Sequence, residues 1–158
     1  MAVILVADDD TDHRELMVLS LSRFGHQVVP ATDTGTASAL LAEGGIDALL
    51  LDVRMPGESG IEFCRRLRAT PESASLPIMF VTADVNDHRI LAAMEAGADD
   101  YLTKPFHRSE LSTRLENLLL RRSALPGRPA TAATAAMLAA RHAVRRPAPA
   151  VRADLRIA

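Results

Sequence analysis

At 158 residues, with 48% hydrophobic and 3% aromatic side chains and no Trp, the chain suffices for one domain cored by Leu, Val, Ile, Ala and Met and excludes two full-sized ones. No stretch approaches the roughly 18 apolar residues of a membrane span, and the opening apolar run is too short and too soon acidic for a secretory signal, so the cytoplasm is the expected compartment. The net charge of −2 conceals a split: residues 1–120 hold 10 basic against 19 acidic side chains, whereas residues 121–158 hold eight Arg against one Asp, a pattern that predicts a domain followed by a tail.

Short apolar runs alternate with longer helical patterns. Val3–Ala7 reads as a strand. Residues 11–24 read as a helix, with Leu16, Leu19 and Leu21 near helical spacing, Asp10 or Asp12 as its cap, Asp12 and Glu15 at capping-box spacing, and Gly25 just past its end. Residues 27–30 form a short second strand, and Thr34–Glu43 a helix stopped by Gly44 and Gly45. Ala48–Leu51 is a strand without polar alternation, as expected where both faces are buried. A loop rich in turn residues follows over 54–60, then a helix over 61–69. Residues 77–81 are the fourth strand, 86–96 a helix ended by Gly97, and Asp100–Thr103 a short fifth strand. The last clear helix covers 109–120, with Leu111, Leu115, Leu118 and Leu119 on one face. Five strands alternating with five helices predict a doubly wound parallel α/β sheet.

Four of the five apolar runs end in a polar residue. Asp8 and Asp9 close the first, Asp52 the third, Thr82 the fourth, and Lys104, followed by Pro105, the fifth. In a parallel sheet these ends converge on one edge, where open α/β folds place their chemistry. Three carboxylates gathered there repel one another, at about 4 kcal/mol per close pair for an effective dielectric near 20. A hard divalent cation relieves that repulsion, and Mg²⁺ commonly shares its shell with a phosphoryl group. Lys104 adds a fixed positive charge and Thr82 a hydroxyl donor. The set suits a carboxylate nucleophile, Asp52, that accepts a phosphoryl group and becomes an aspartyl phosphate.

The motifs Leu5-Val6-Ala7-Asp8-Asp9-Asp10, Leu51-Asp52-Val53-Arg54-Met55-Pro56-Gly57, Val81-Thr82-Ala83 and Tyr101-Leu102-Thr103-Lys104-Pro105-Phe106 resemble the receiver domain of two-component response regulators. Their order and spacing match across residues 3–120. The resemblance implies a five-stranded flavodoxin-like (βα)5 fold and phosphotransfer from a phosphohistidine on a sensor histidine kinase, or a phosphotransfer protein, to Asp52. It implies that Asp8 and Asp9 hold Mg²⁺ (or Mn²⁺) together with Asp52 and the backbone carbonyl of Arg54, with Asp9 the direct ligand. Thr82 and Tyr101 resemble the switch pair and Lys104 the family's lysine, and Lys104-Pro105 is a candidate cis peptide bond. Arg54 and Asp84 fall where the family tunes dephosphorylation, and their opposite charges can pair across the mouth. The family's partner or dimer contacts lie on the surface built by residues 86–120.

The expected protein is thus a signalling switch rather than an enzyme: a single-domain regulator over 1–122 acting by protein contact, with no membrane and no nucleic-acid partner. An aspartate-nucleophile phosphohydrolase of the haloacid dehalogenase type is the enzyme alternative, but it puts Asp12 where Thr or Val belongs and leaves Asp52 without a role. A module that ignores phosphorylation is the third reading. Cys64 reads as a small buried hydrophobe. His13, His26, His88, His107 and His142 lack ligand spacing and read as surface residues. From 123 to 158 an Ala/Pro/Arg-rich composition predicts a flexible basic tail, with a marginal helix over 131–146.

Overall fold

The computed structural model describes residues 1–124 and 156–157, and side chains through residue 121. In chain order the elements are β1 (Val3–Ala7), α1 (Thr11–Arg23), β2 (Gln27–Ala31), α2 (Thr34–Glu43), β3 (Ala48–Leu51), α3 (Gly60–Ala69), β4 (Ile78–Thr82), α4 (Asp87–Glu95), β5 (Asp100–Thr103), β6 (Phe106–His107), α5 (Arg108–Ala124) and β7 (Arg156–Ile157). Five strands form one parallel sheet in the order β2-β1-β3-β4-β5, the doubly wound topology expected. The expected tail and its helix over 131–146 lie outside the described residues. The exceptions are 123–124, which continue α5, and Arg156–Ile157, which pair antiparallel with β6.

Strand side chains alternate between two faces, and each face has its own core. Leu5, Ala7, Leu49, Leu51, Ile78, Phe80 and Tyr101 point toward α2, α3 and α4, where Ala37, Phe63, Cys64, Ile90 and Met94 meet them. Ile4, Val6, Leu50, Met79, Val81 and Leu102 point the other way, onto Met17 and Leu21 of α1 and Leu111, Leu115 and Leu118 of α5. The central strands β3 and β4 are buried along their whole length, which is why their sequences lack polar alternation. Each fully buried Leu or Ile in them contributes about 2 kcal/mol of apolar transfer.

The helix starts follow from local chemistry. Asp10, Asp33, Ser59 and Asn86 are N-caps whose side chains accept backbone N–H groups of the first turn, and Ser59 with Glu62 forms a capping box. Asp10, not Asp12, caps α1, so the box anticipated from Asp12 and Glu15 does not form there. The inward face of α1 is set by Met17, Ser20 and Leu21, whereas Leu19 is half exposed. A buried polar residue, Ser20, occupies the stripe because its hydroxyl returns to the carbonyl of Leu16.

Register places the functional edge. Ala7 is paired with Leu51, so the next residues, Asp8 and Asp52, emerge side by side, and the Asp52 N–H donates to the Ala7 carbonyl at 3.0 Å. Thr82 is paired with Thr103, and the Lys104 N–H donates to the Thr82 carbonyl at 2.8 Å. Among the described residues, no helix is long and apolar enough to cross a membrane.

Candidate functional site

Asp8, Asp52, Thr82 and Lys104 come together at the carboxyl edge of β1, β3, β4 and β5. The Thr82 hydroxyl donates to Oδ1 of Asp52 at 2.8 Å, and the Arg54 N–H donates to the same oxygen at 3.1 Å. The Lys104 ammonium lies 2.7 Å from Oδ2 of Asp8 and 3.5 Å from Oδ2 of Asp52. Thr82 and Asp8 are buried, Asp52 is partly open to solvent, and Asp9 is exposed. One face of the Asp52 carboxylate is therefore engaged by the protein while a path from solvent remains.

Asp8 is fixed from three sides. Its N–H donates to the Ala31 carbonyl, its carbonyl accepts from the Arg14 guanidinium at 2.8 Å, and its Oδ1 accepts the Asp10 N–H at 2.9 Å. Asp8, Asp9 and Asp52 each offer a carboxylate oxygen within 4.8 Å of the others. Three negative charges face one ammonium, a deficit of two positive charges. At that spacing each unrelieved pair costs about 3 kcal/mol at an effective dielectric near 20. The donor set, all oxygen, fits a hard divalent cation.

The strand-to-helix loop after Asp52 is held close. Gly60 opens α3, and its N–H donates to the Val53 carbonyl at 2.8 Å. A Cβ placed on Gly60 would fall 2.0 Å from the Asp52 carbonyl oxygen. Only glycine lets α3 begin this near the Asp52 backbone, a requirement the sequence hid inside a generic turn.

Beside the acceptor edge lies a second cluster. Tyr101 is turned inward, 1% exposed, its ring 6.0 Å from that of Phe80 and its hydroxyl donating to the Asp84 carbonyl at 2.6 Å. Burial pushes the Tyr101 phenol far above its ordinary value, and the charges of Asp84 and Asp52 push the same way. The buried Asp84 carboxylate accepts from Arg89 and from the Asn86 N–H, and lies 3.7 Å from the Arg54 guanidinium. Burial raises the Asp84 carboxyl, but the Asn86 N–H and the Arg89 and Arg54 charges together hold it below the usual carboxylate range. The Arg54–Asp84 pairing anticipated from opposite charges is present. Arg89 is the member that sequence reasoning missed, because its i+5 spacing from Asp84 crosses a loop and the cap of α4.

The Lys104-Pro105 peptide is cis. His13, expected as a plain surface residue, instead directs Nδ1 to the Lys104 ammonium at 3.2 Å. Cys64 is buried, its Sγ 3.7 Å from the Ala96 carbonyl, in keeping with a packing role.

A doubly wound (βα)5 sheet with an acidic pair, an aspartate, a hydroxyl and a lysine at its carboxyl edge defines a receiver-type signalling domain. The chain belongs to the response regulator receiver domain family, which it matches over residues 4–116. It is 38% identical over 118 residues to the phosphate regulon transcriptional regulatory protein PhoB of Pseudomonas aeruginosa, covering 75% of this chain and 52% of that one. It is 46% identical over 120 residues to the response regulator MprA of Mycobacterium sp. (strain KMS), covering 76% and 51%. The chain thus spans about half the length of these curated relatives. Among solved structures, a putative response regulator from Chloroflexus aurantiacus superposes with a TM-score of 0.73 at 38% identity, over 76% of this chain and 98% of that one. The chemotaxis protein CheY4 of Vibrio cholerae gives 0.70 at 28% identity, over 75% and 98%. The family is a signalling switch of two-component systems.

Proposed function

We infer that Asp52 is the phosphoacceptor of this receiver. One observation carries the reading: the Asp52 carboxylate is held by the Thr82 hydroxyl on one oxygen and faces the Lys104 ammonium with the other, with two more acids alongside. A carboxylate oxygen of Asp52 attacks phosphorus, the bond from phosphorus to the donor imidazole nitrogen breaks, and the departing imidazole keeps the bonding electron pair. Lys104 and Thr82 stand where charge develops on the phosphoryl oxygens. Asp8, Asp9, Asp52 and the Arg54 carbonyl would hold Mg²⁺, with Mn²⁺ as a substitute; when bound, the ion neutralises that same charge. The donor is a phosphohistidine of a sensor kinase or phosphotransfer protein.

Thr82 and Tyr101 form the proposed switch. The Thr82 hydroxyl also accepts the Asp84 N–H at 3.3 Å, and Tyr101 holds the Asp84 carbonyl, so a change at Asp52 reaches the β4–α4 loop through two bonds. The output proposed for the described residues is a protein contact, or a contact with a second copy, through the 86–120 surface. Incubation with acetyl phosphate and Mg²⁺ tests the reading. A hydroxylamine-labile phosphoryl adduct on the intact chain, absent from Asp52→Asn, is expected. An adduct that survives this substitution would overturn it.

A further inference from the structure

We propose that His13 is a positioning residue for Lys104, and that proton uptake by its imidazole exchanges Lys104 for Asp10 as its partner. The proposal rests on the receiver chemistry assigned above to Asp52. Lys104 has three N–H bonds and three polar neighbours: Oδ2 of Asp8 at 2.7 Å, Nδ1 of His13 at 3.2 Å and Oδ2 of Asp52 at 3.5 Å. An ammonium only donates, so Nδ1 of His13 must be the bare nitrogen and the proton must reside on Nε2. The Lys104 side chain is 5% exposed. With two anions on one side, the ammonium would be drawn wholly toward them; the neutral imidazole completes its shell from the α1 side and sets its orientation toward Asp52.

The same nitrogen has a second partner within reach. Oδ1 of Asp10, the cap of α1, lies 3.9 Å from Nδ1 of His13. The charged groups facing the imidazole are Asp10, from the loop ahead of α1, and Lys104, from the loop after β5, with Asp8 and Asp52 behind the ammonium. Once Nδ1 is protonated it can no longer accept from Lys104, and two positive charges oppose one another across 3.2 Å. The imidazolium then donates to Asp10, a carboxylate that the His13 backbone N–H already holds in its charged form. Lys104 is left without its third partner. The acceptor site thus carries an imidazole one residue removed from the reacting carboxylate, set between the Lys104 ammonium at 3.2 Å and the Asp10 carboxylate at 3.9 Å.

The test uses the full chain with Mg²⁺ and acetyl phosphate, comparing wild type, His13→Gln, His13→Ala and, as a histidine away from the site, His88→Gln. Wild type and His88→Gln should show the initial rate of Asp52 phosphorylation falling about fivefold as pH drops through the histidine range, the worth of one hydrogen bond. His13→Gln keeps a side-chain acceptor that does not titrate, so its profile loses that step. His13→Ala should be slower by a similar factor at the alkaline end. Nitrogen-15 NMR of the unphosphorylated chain should find His13 in the Nε2–H tautomer at alkaline pH, and Lys104→Met should move its titration. Identical pH profiles for wild type and both His13 variants, or an Nδ1–H tautomer, would overturn the proposal. Absence of any adduct on wild type would instead remove the phosphoacceptor reading, while the tautomer still decides whether His13 accepts from Lys104.

Discussion

Thr82 and Asp52 are 30 residues apart in the chain, yet the Thr82 hydroxyl donates to Oδ1 of Asp52 at 2.8 Å. The bond exists because β3 and β4 are adjacent parallel strands whose register carries both residues to the same edge. A hydrogen bond to a charged acceptor contributes about 2 kcal/mol. If the same hydroxyl serves the charge that develops on the phosphoryl oxygens, Thr82→Ala should slow acetyl-phosphate labelling of Asp52 by about thirtyfold, whereas Thr82→Ser, which keeps the hydroxyl, should stay near wild type. Intact-protein mass spectrometry over a time course reads both.

Lys104 neutralises a buried carboxylate, since its ammonium and the Asp8 side chain are only 5% and 4% exposed. Removing one member of such a pair leaves an uncompensated charge and costs about 3 kcal/mol or more. Lys104→Met should lower thermal stability in metal-free buffer by that order. Mg²⁺ should restore more of the loss in the variant than it adds to wild type, because the acidic cluster has lost the ammonium that lies against Asp8 and Asp52. Melting temperatures with and without Mg²⁺, compared between the two proteins, check the difference; equal increments would contradict it.

Gly60 meets the tightest steric demand near the acceptor. A methyl group there would fall 2.0 Å from the Asp52 carbonyl oxygen and 3.1 Å from the Phe80 ring. Backbone on one side and a packed ring on the other leave no cheap relaxation. Gly60→Ala should destabilise the fold by about 3 kcal/mol. It should also reduce Asp52 labelling beyond what the lost folded fraction explains, as shown by chemical denaturation alongside acetyl-phosphate labelling.

The strand-end residues were legible in the sequence because their signal is local: an apolar run that stops at a charge or hydroxyl predicts both a buried strand and the edge where it ends. What escaped depended on register between distant elements. His13 looked like a surface residue because nothing in α1 reveals that its first turn faces the loop after β5. Arg14 and Arg89 were missed for the same reason, since their partners are the Asp8 carbonyl and the Asp84 carboxylate. The Asp10–Asp12 choice was open because both satisfy capping composition; the chain direction out of β1 decides it. Leu19 fits helical spacing with Leu16, yet the sheet meets α1 through Met17 and Leu21, each two residues from Leu19 and so about 200° round the helix. The pair β6–β7 joins residues about fifty positions apart without a periodic pattern to announce it.

Tyr101 is buried, and its hydroxyl is satisfied by the Asp84 carbonyl at 2.6 Å. Tyr101→Phe removes the donor and leaves that carbonyl short of a partner, at a cost of about 1 kcal/mol. The expected outcome is a lower denaturation midpoint with an unchanged denaturant slope. Burial and the nearby carboxylates oppose phenolate formation in the folded state, so ultraviolet titration of wild type should show Tyr101 ionising only as the protein unfolds. A reversible phenolate transition near the free-tyrosine value of about 10, with the fold intact, would show that the ring is not held inward in solution.

Asp84 carries the clearest pH signature. Its carboxyl is held below its ordinary value in the fold, by the Asn86 N–H and by Arg89 and Arg54 against the opposing effect of burial. The folded state therefore binds the Asp84 proton less readily than the unfolded chain does. Linkage then makes its contribution to stability fully present above the unfolded carboxylate value of about 3.9 and progressively lost as pH falls through the lower folded value. Asp84→Asn should remove that contribution, lowering stability near neutral pH while flattening the acid limb of the stability curve. Arg89→Ala should do the same in part, because Arg54 remains at 3.7 Å. Urea unfolding of the three proteins at neutral pH and near pH 3, about one unit below the unfolded value, separates the cases. A Asp84→Asn variant whose acid limb runs parallel to wild type would show that the Asp84 charge is not stabilised by the fold.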